Sequence, residues 1–207
     1  MTHLFTSLND PGIAQLLNQG AVGVIPTDTV YGLVASVRIE AAIERMYMLK
    51  PREQAPGTIV GASTQEFVDI GFPQLLLDSI THLWPAPVSC VVDATNVSQY
   101  LKQHRTSLPV RIPDMPSLIE LLNQTGPLMT TSANMPKQPV SESIQMAMNY
   151  FGDDVDFYVD GGDMGNRSPS TIIGFHVNND VMVYRQGAKE VSKDTLREIR
   201  QKIKEAQ

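Results

Sequence analysis

The polar side chains that could bind or activate a ligand lie where short apolar runs of the sequence end. In residues 23–33, GVIPTDTVYGL, an apolar run breaks at a proline into a loop with three hydroxyls and a carboxylate: Thr27, Asp28, Thr29 and Tyr31. The apolar run itself, residues 21–25, predicts a buried strand, and ligands bind at the carboxyl ends of strands in open α/β sheets. The segment therefore predicts polar groups delivered to a ligand site. An ordinary strand-to-turn junction, which uses the same residue types, is the alternative.

A pair of cations follows the second helical pattern of the chain. Pro51 disfavours helical geometry for Lys50, so we expect the helix to end near Leu49 and the chain to be extended there. Positions i and i+2 of an extended chain point to the same side, and Lys50 and Arg52 would then form a clamp suited to phosphate oxygens. Cations that only stabilise a helix carboxyl end, with Glu53 neutralising Arg52, are the alternative.

A third basic residue lies on a predicted strand, residues 107–112. Alternation places Leu108, Val110 and Ile112 on one face. Ser107 and Arg111 then share the opposite face, where the arginine could bind a carboxylate through two parallel hydrogen bonds. A solvated strand residue is the alternative for Arg111.

Hydroxyls and a cation recur at later strand ends. Residues 127–131 predict a strand that runs into the hydroxyl- and amide-rich segment 130–134, TTSAN, although such residues also form caps and turns. A glycine-rich loop, residues 160–173, places Ser170 at the start of another strand, and Arg185 ends the strand VMVYR. The candidate site residues are therefore mainly hydroxyls and cations. The motifs contain no arrangement typical of a Ser-His-Asp or Cys-His nucleophile, and the glycine spacing matches neither a Walker loop nor a dinucleotide-binding pattern.

The elements that must position these groups alternate along the chain. Helical and strand patterns interleave without repeats or a long linker, which predicts an α/β or α+β protein, one domain over residues 1–207, built on one mixed and twisted sheet. The predicted helices are residues 13–18, 39–47, 66–83 with a break at Pro73, 117–123, 142–151 and the amphipathic tail 189–204. The predicted strands are residues 21–25, 58–62, 87–94, 107–112, 127–131, 155–159, 170–175 and 181–185.

Composition narrows the class of protein. The net charge of −6 argues against a protein whose whole surface binds nucleic acid. The basic tail could still act as an RNA-binding arm. Cys90 is the single cysteine and lies in an apolar run, so we expect a core residue and neither a disulfide nor a cysteine zinc site. The four histidines lack ligand spacing, and the chain shows neither a signal peptide nor a membrane span. We therefore expect a cytoplasmic protein without a protein-held metal.

Taken in order, these motifs resemble the YrdC/TsaC family of threonylcarbamoyl-AMP synthases. The motifs are PTDTVYGL (26–33), K-x-R (50–52), WPAPVS (84–89), PVRIP (109–113), TTSAN (130–134), PSTI (169–172) and YRQG (184–187). Ala86 and Ser89 stand where the family usually has glycine and threonine. The resemblance implies a YrdC-like fold with helices flanking the sheet and a concave ligand groove.

The resemblance also implies a reaction and its site. L-threonine, bicarbonate and ATP would give threonylcarbamoyl-adenylate and pyrophosphate, the first step of the tRNA modification threonylcarbamoyladenosine, for downstream transferase machinery. Threonine would be held by Thr27, Arg111, Thr131 and Ser170. ATP, with Mg²⁺ carried in by the nucleotide, would be held by Lys50, Arg52, Ser107, Ser132, Asn134 and Arg185. Lys50, Arg52 and Arg111 would stabilise charge. The alternative is a YrdC-like RNA-binding protein without synthase activity.

Overall fold

One mixed sheet organises the computed structural model, which describes residues 2–50, 56–175 and 181–205. Within these residues the strands are β1 (His3–Phe5), β2 (Gly23–Ile25), β3 (Gly32–Ser36), β4 (Thr58–Val60), β5 (Val88–Asp93), β6 (Ser107–Arg111), β7 (Leu128–Ser132), β8 (Phe157–Val159), β9 (Thr171–Phe175) and β10 (Val181–Arg185). Their order across the sheet is β1-β8-β2-β3-β7-β4-β6-β5-β9-β10. The predicted fold class, a mixed sheet flanked by helices, is confirmed.

The helices begin and end where the sequence supplies signals for it. They are α1 (Pro11–Asn18), α2 (Glu40–Leu49), α3 (Thr64–Asp69), α4 (Gln74–Ile80), α5 (Gln99–Lys102), α6 (Pro116–Thr125), α7 (Ile144–Phe151) and α8 (Lys193–Glu205). Side chains of Asp10, Ser63 and Ser143 accept hydrogen bonds from first-turn amides of α1, α3 and α7. Helix α2 ends at Leu49, and Lys50 has the non-helical φ of −134° that Pro51 predicts.

The two faces of the sheet are covered unequally. One face packs against α2, α4, α7 and α8, whose buried residues join the larger apolar cluster. On the opposite face α1 and α6 pack through Ile13, Leu17, Leu118 and Leu122. The cluster under α1 and α6 reaches Val60 of β4 but includes no residue of β5, β6, β9 or β10. Among the described residues, no helix therefore packs over that half of this face.

Three elements were not predicted from the sequence: β1, β3 and α5. Strand β3 is the important one, because it pairs antiparallel with β2 and with β7 and so places the loop after β2 beside the segment after β7. Cys90 is fully buried in the large cluster, as predicted. Among the described residues, no helix combines the length and the apolar character needed to cross a membrane.

Candidate functional site

A cavity of about 720 Å³ extends from the loop after β2, β3 and β7 to β5, β6, β9 and β10. Its volume is in the range of small-molecule sites. The predicted site residues that line it are Thr27, Ser107, Arg111, Thr131, Ser132, Ser170 and Arg185. Lys50 and Asn134 are not on its wall but bind Ser132, which is. Arg52 lies outside the described residues, so the predicted Lys50–Arg52 clamp stays a prediction.

The alternation predicted for β6 sets the floor of the cavity. Leu108 and Val110 are fully buried in the large apolar cluster, whereas Ser107, Pro109 and Arg111 line the cavity from the opposite face. Arg111 is 3% exposed. The interpretation of Arg111 as a solvated strand residue is therefore wrong.

The guanidinium of Arg111 faces the carboxylate of Asp28 in the loop after β2. Nη1 of Arg111 lies 2.9 Å from Oδ1 of Asp28, but the two atoms are not aligned as a hydrogen bond. Burial lowers the pKa of Arg111, and the Asp28 carboxylate raises it; the group stays charged because a guanidinium does not deprotonate in proteins. Within the described part of the chain, Nε and Nη1 of Arg111 have no hydrogen-bond acceptor. A buried cation with unused donors favours an anionic ligand.

The other oxygen of Asp28 fixes a second segment. Oδ2 accepts a hydrogen bond from the backbone N–H of Asp114 at 3.1 Å, three residues beyond Arg111. Asp28 thereby ties the loop after β2 to the end of β6.

The hydroxyl of Thr27 shapes its own loop. It donates to the carbonyl of Val30 at 2.7 Å and accepts from the backbone N–H groups of Thr29 and Val30. The Thr29 hydroxyl lies 3.0 Å away and also borders the cavity. These bonds close the turn and hold both side chains at the cavity wall.

Tyr31 joins this loop to the glycine-rich loop that leads to Ser170. Its buried hydroxyl donates to the carbonyl of Gly162 at 2.7 Å and accepts from the N–H of Gly161 at 2.8 Å. Burial is the main cause that raises the pKa of Tyr31, and the carboxylates of Asp160 and Asp163 raise it further. A Cβ at Gly161 would lie 2.6 Å from Pro26, so the close approach of the two loops requires glycine there.

The ammonium of Lys50 forms hydrogen bonds with the end of β7 and the segment that follows it. Its Nζ donates to the backbone carbonyl of Ser132, to Oγ of Ser132 at 3.1 Å and to Oδ1 of Asn134 at 2.8 Å. The hydroxyl of Ser132 in turn donates to Oδ1 of Asn134 at 2.7 Å. Lys50 is 4% exposed, so its charge lies just behind the hydroxyl wall of the cavity.

Ser170 and Arg185 meet at the opposite side. Nη2 of Arg185 donates to the backbone carbonyl of Ser170 at 2.8 Å, and the hydroxyl of Ser170 lies 2.9 Å from that of the fully buried Ser89. Gly187 permits the turn that follows Arg185, because a Cβ there would lie 2.1 Å from the carbonyl of Pro169. Arg185 ends β10, as predicted, Ser170 directly precedes β9, and the antiparallel pairing of β9 with β10 brings the two residues together.

Sequence reasoning missed His104, Arg105 and Tyr184, which also line the cavity. Gln103 and His104 have φ values of +45° and +69°, and no glycine marks this left-handed turn, so the sequence gives no signal for it. Arg105 adds a further cation to the wall. Among the residues in the three described ranges, no group of three or more His, Cys, Asp or Glu side chains is placed to hold a metal ion.

Comparison with known proteins gives concordant matches. The family model Sua5/YciO/YrdC, described as "Telomere recombination", matches residues 15–187. A curated Pseudomonas aeruginosa protein named threonylcarbamoyl-AMP synthase is 32% identical over 163 residues, which cover 77% of this chain and 88% of that protein.

Two solved structures share the fold. The crystal structure of E. coli YciO superposes with a TM-score of 0.80 at 20% identity, covering 93% of this chain and 98% of that one. The crystal structure of P. abyssi Sua5 complexed with L-threonine superposes with a TM-score of 0.78 at 22% identity. It covers 90% of this chain, which spans 58% of that longer one.

Proposed function

We propose a function from the premise that this chain belongs to the Sua5/YciO/YrdC family: it is a threonylcarbamoyl-AMP synthase, a nucleotidyltransferase. The substrates are L-threonine, bicarbonate and ATP, and the products are threonylcarbamoyl-adenylate and pyrophosphate. The observation that carries the proposal is the cavity itself. It holds a buried guanidinium with unused donors, and hydroxyls and two further arginines, Arg105 and Arg185, surround it.

The threonine end of the cavity follows from Arg111. A carboxylate is the ligand that completes the hydrogen bonding of a buried guanidinium, so the threonine carboxylate binds Arg111. The hydroxyls of Thr131 and Ser170 and the Thr27 loop line the same cavity and supply neutral hydrogen-bonding groups for the rest of the amino acid.

The phosphate end follows from the remaining cations. Lys50 behind Ser132 and Asn134, with Arg185 across the cavity, neutralises the triphosphate; Ser107 contributes a hydroxyl, and Arg52 would join them from outside the described residues. Mg²⁺ enters with ATP, because the cavity wall offers few carboxylates to hold it in advance.

The chemistry needs alignment rather than a protein nucleophile. The threonine amine and bicarbonate form a carbamate with loss of water, and a carbamate oxygen then bonds to the α-phosphorus of ATP as pyrophosphate leaves. Positioning the reactants and stabilising phosphate charge account for such a step, and hydroxyls and cations do both. This fits the described lining of the cavity, which contains no Cys-His pair and no Ser-His-Asp triad.

The test is direct synthesis. The protein is incubated with L-threonine, bicarbonate and ATP, and pyrophosphate and the adenylate are measured. We expect both products, each dependent on threonine, with loss of activity in Arg111→Ala. Arg197→Ala serves as the matched control, because that side chain is 79% exposed on α8. Absence of pyrophosphate with a folded protein would refute the proposal.

The proposed synthase also has a location and a downstream acceptor. We propose that residues 1–207 act as one domain in the cytoplasm and that the adenylate passes to tRNA threonylcarbamoyl-transferase machinery. Direct RNA binding is the competing prediction. It would show as an affinity that falls steeply with salt, without nucleotide turnover.

A further inference from the structure

Asp28 lies behind the wall of the cavity, between two residues that line it. Thr27 and Thr29 are part of the lining, and Asp28 is not. The Thr27 hydroxyl closes the turn through its own hydrogen bonds, so the shape of this loop does not depend on the Asp28 carboxylate. That carboxylate instead uses one oxygen on Arg111 and the other on the backbone N–H of Asp114.

The Asp28 carboxylate contacts one edge of the Arg111 guanidinium. Nη1 lies 2.9 Å from Oδ1 of Asp28, and within the described ranges Nε and Nη1 are shielded from solvent without an acceptor. Nη2 is not among these shielded atoms, so it is the nitrogen that a ligand in the cavity reaches. Asp28 therefore holds the guanidinium from behind, and a carboxylate ligand approaches it from the cavity.

Asp28 and Arg111 carry no net charge as a pair. Their side chains are 3% and 4% exposed, so little water screens charge around them. Arg105 and Arg185 also line the cavity, but Arg105 is half-buried and Arg185 is exposed, so solvent screens both of them more strongly. The wall around Arg111 is therefore close to neutral, although it contains an arginine.

The charge of a ligand decides how well it suits this neutral wall. A carboxylate that binds Arg111 adds a second anion beside Asp28, and two like charges at close range oppose each other. An amino acid brings its own cation, because its ammonium is two bonds from the carboxylate carbon, and it leaves the enclosed charge balanced. The described lining of the cavity contains no carboxylate, so the wall itself offers no other anion to attract an ammonium.

We propose that Asp28 is a specificity-determining residue: by neutralising Arg111 from behind, it makes this end of the cavity bind zwitterionic amino acids in preference to carboxylates without an amino group. A ligand without an amine would occupy the threonine site but form no carbamate, so this preference keeps the site free of unreactive carboxylates. The inference rests on the proposed function, in which Arg111 binds the threonine carboxylate, and it adds the charge that the rest of the ligand must carry.

The experiment compares two ligands that differ only in the amino group. Dissociation constants of L-threonine and of (R)-3-hydroxybutanoate are measured by calorimetry at pH 7. The unsubstituted protein should bind threonine at least about tenfold more tightly, since a like charge at close range is worth about 1–3 pKa units, or about 10- to 1000-fold. In Asp28→Asn the side chain keeps its size and an acceptor for the Asp114 N–H but loses its charge. The ratio of the two dissociation constants should then fall by about tenfold or more.

A ratio of two ligands on the same folded protein separates charge from a general loss of stability. Asp114→Asn is the matched control, because it removes an exposed carboxylate from the segment that Asp28 contacts, and Asp28 bonds to the backbone there and not to that side chain. Its ratio should equal that of the unsubstituted protein. A salt series needs no substitution: because the pair is enclosed, the ratio should change less than about twofold between about 0.05 and 0.5 M NaCl.

Three outcomes overturn the inference. An unchanged ratio in Asp28→Asn, or equal affinities of the two ligands in the unsubstituted protein, would exclude the role of Asp28 even if the protein makes the adenylate. A preference that disappears at high salt would assign it to the exposed arginines instead. Failure of the proposed function is distinct from all of these, because the unsubstituted protein would then bind no threonine and release no pyrophosphate.

Discussion

Asp28 and Arg111 form an ion pair that is almost wholly enclosed: the charged atoms are 2.9 Å apart, and the side chains are 3% and 4% exposed. Asp28 comes from the loop after β2 and Arg111 from the end of β6, and these strands are separated in the sheet by β3, β7 and β4. The pair therefore fixes the distance across the cavity between two segments that no direct strand pairing connects.

Removing Asp28 should be costly for stability. Asp28→Ala would leave the Arg111 charge buried without its counter-ion, which typically lowers the free energy of unfolding by about 3–5 kcal/mol. The measurement is urea denaturation. Asp194→Ala is the control, because its ion pair with Arg197 is exposed and should contribute about 0–1 kcal/mol. If Asp28→Ala cost no more than Asp194→Ala, the pair would have no structural role.

Ser89 should act on threonine binding through Ser170. Its buried hydroxyl lies 2.9 Å from the Ser170 hydroxyl, so Ser89→Ala leaves that group without its orienting partner. We expect threonine affinity to fall by about 3- to 10-fold, the loss of about one net hydrogen bond, and Ser89→Thr to restore it. Calorimetry with L-threonine makes the measurement. Equal affinity in the alanine and threonine variants would contradict the role.

Much of the fold could be predicted because local signals agree with the tertiary structure. The end of α2 at Leu49 follows from Pro51, and the two faces of β6 follow from its alternation of Leu108 and Val110 with Ser107 and Arg111. Strand β3 was missed because residues 32–36, GLVAS, are buried on both faces and show no alternation, so periodicity does not separate them from the preceding loop.

The site likewise contains residues that local sequence predicts and residues whose positions depend on the sheet order. Strand-end motifs predicted the hydroxyls, and the alternation of residues 107–112 predicted the face of Arg111; these groups line the cavity. The partner of Arg111 could not be read from the sequence, because Asp28 reaches it only through a sheet order that joins distant segments. Tyr184 was missed for a similar reason: it lines the cavity from the register shift between Val183 and Arg185, and the alternation of β10 does not reveal such a shift.

Lys50 should be required for turnover in a way that another cation does not replace. Its compact ammonium reaches three acceptors on Ser132 and Asn134 in a space that is 4% exposed, and a planar guanidinium does not fit the same geometry. We expect Lys50→Ala and Lys50→Arg both to reduce pyrophosphate release by at least about 10²-fold, the scale for losing one group that stabilises charge in the transition state.

The control for Lys50 is Lys193→Ala, an exposed lysine at the start of α8, which should release pyrophosphate at the original rate. Full activity in Lys50→Arg would show that charge alone suffices at this position. The role assigned to the three hydrogen bonds would then be wrong.

Tyr31 should make the protein sensitive to alkali. Burial keeps its hydroxyl neutral and raises its pKa above the ordinary value of 10.0, and the Tyr158 pKa is raised to about 12. Below pH 10 both tyrosines are neutral in the folded and the unfolded chain, so their contribution to stability is constant. Above pH 10 the unfolded chain ionises first, and the free energy of unfolding falls as pH rises toward the folded-state values.

The Tyr31→Phe variant separates this effect from other alkaline changes. It removes the bonds to Gly161 and Gly162, so the free energy of unfolding at pH 7 should fall by about 1–3 kcal/mol. Because phenylalanine does not titrate, its decline between pH 10 and 12 should be shallower than that of the original chain in urea denaturation. Parallel declines would mean that Tyr31 ionises as easily in the folded protein as in the unfolded one, contrary to its burial between the two loops.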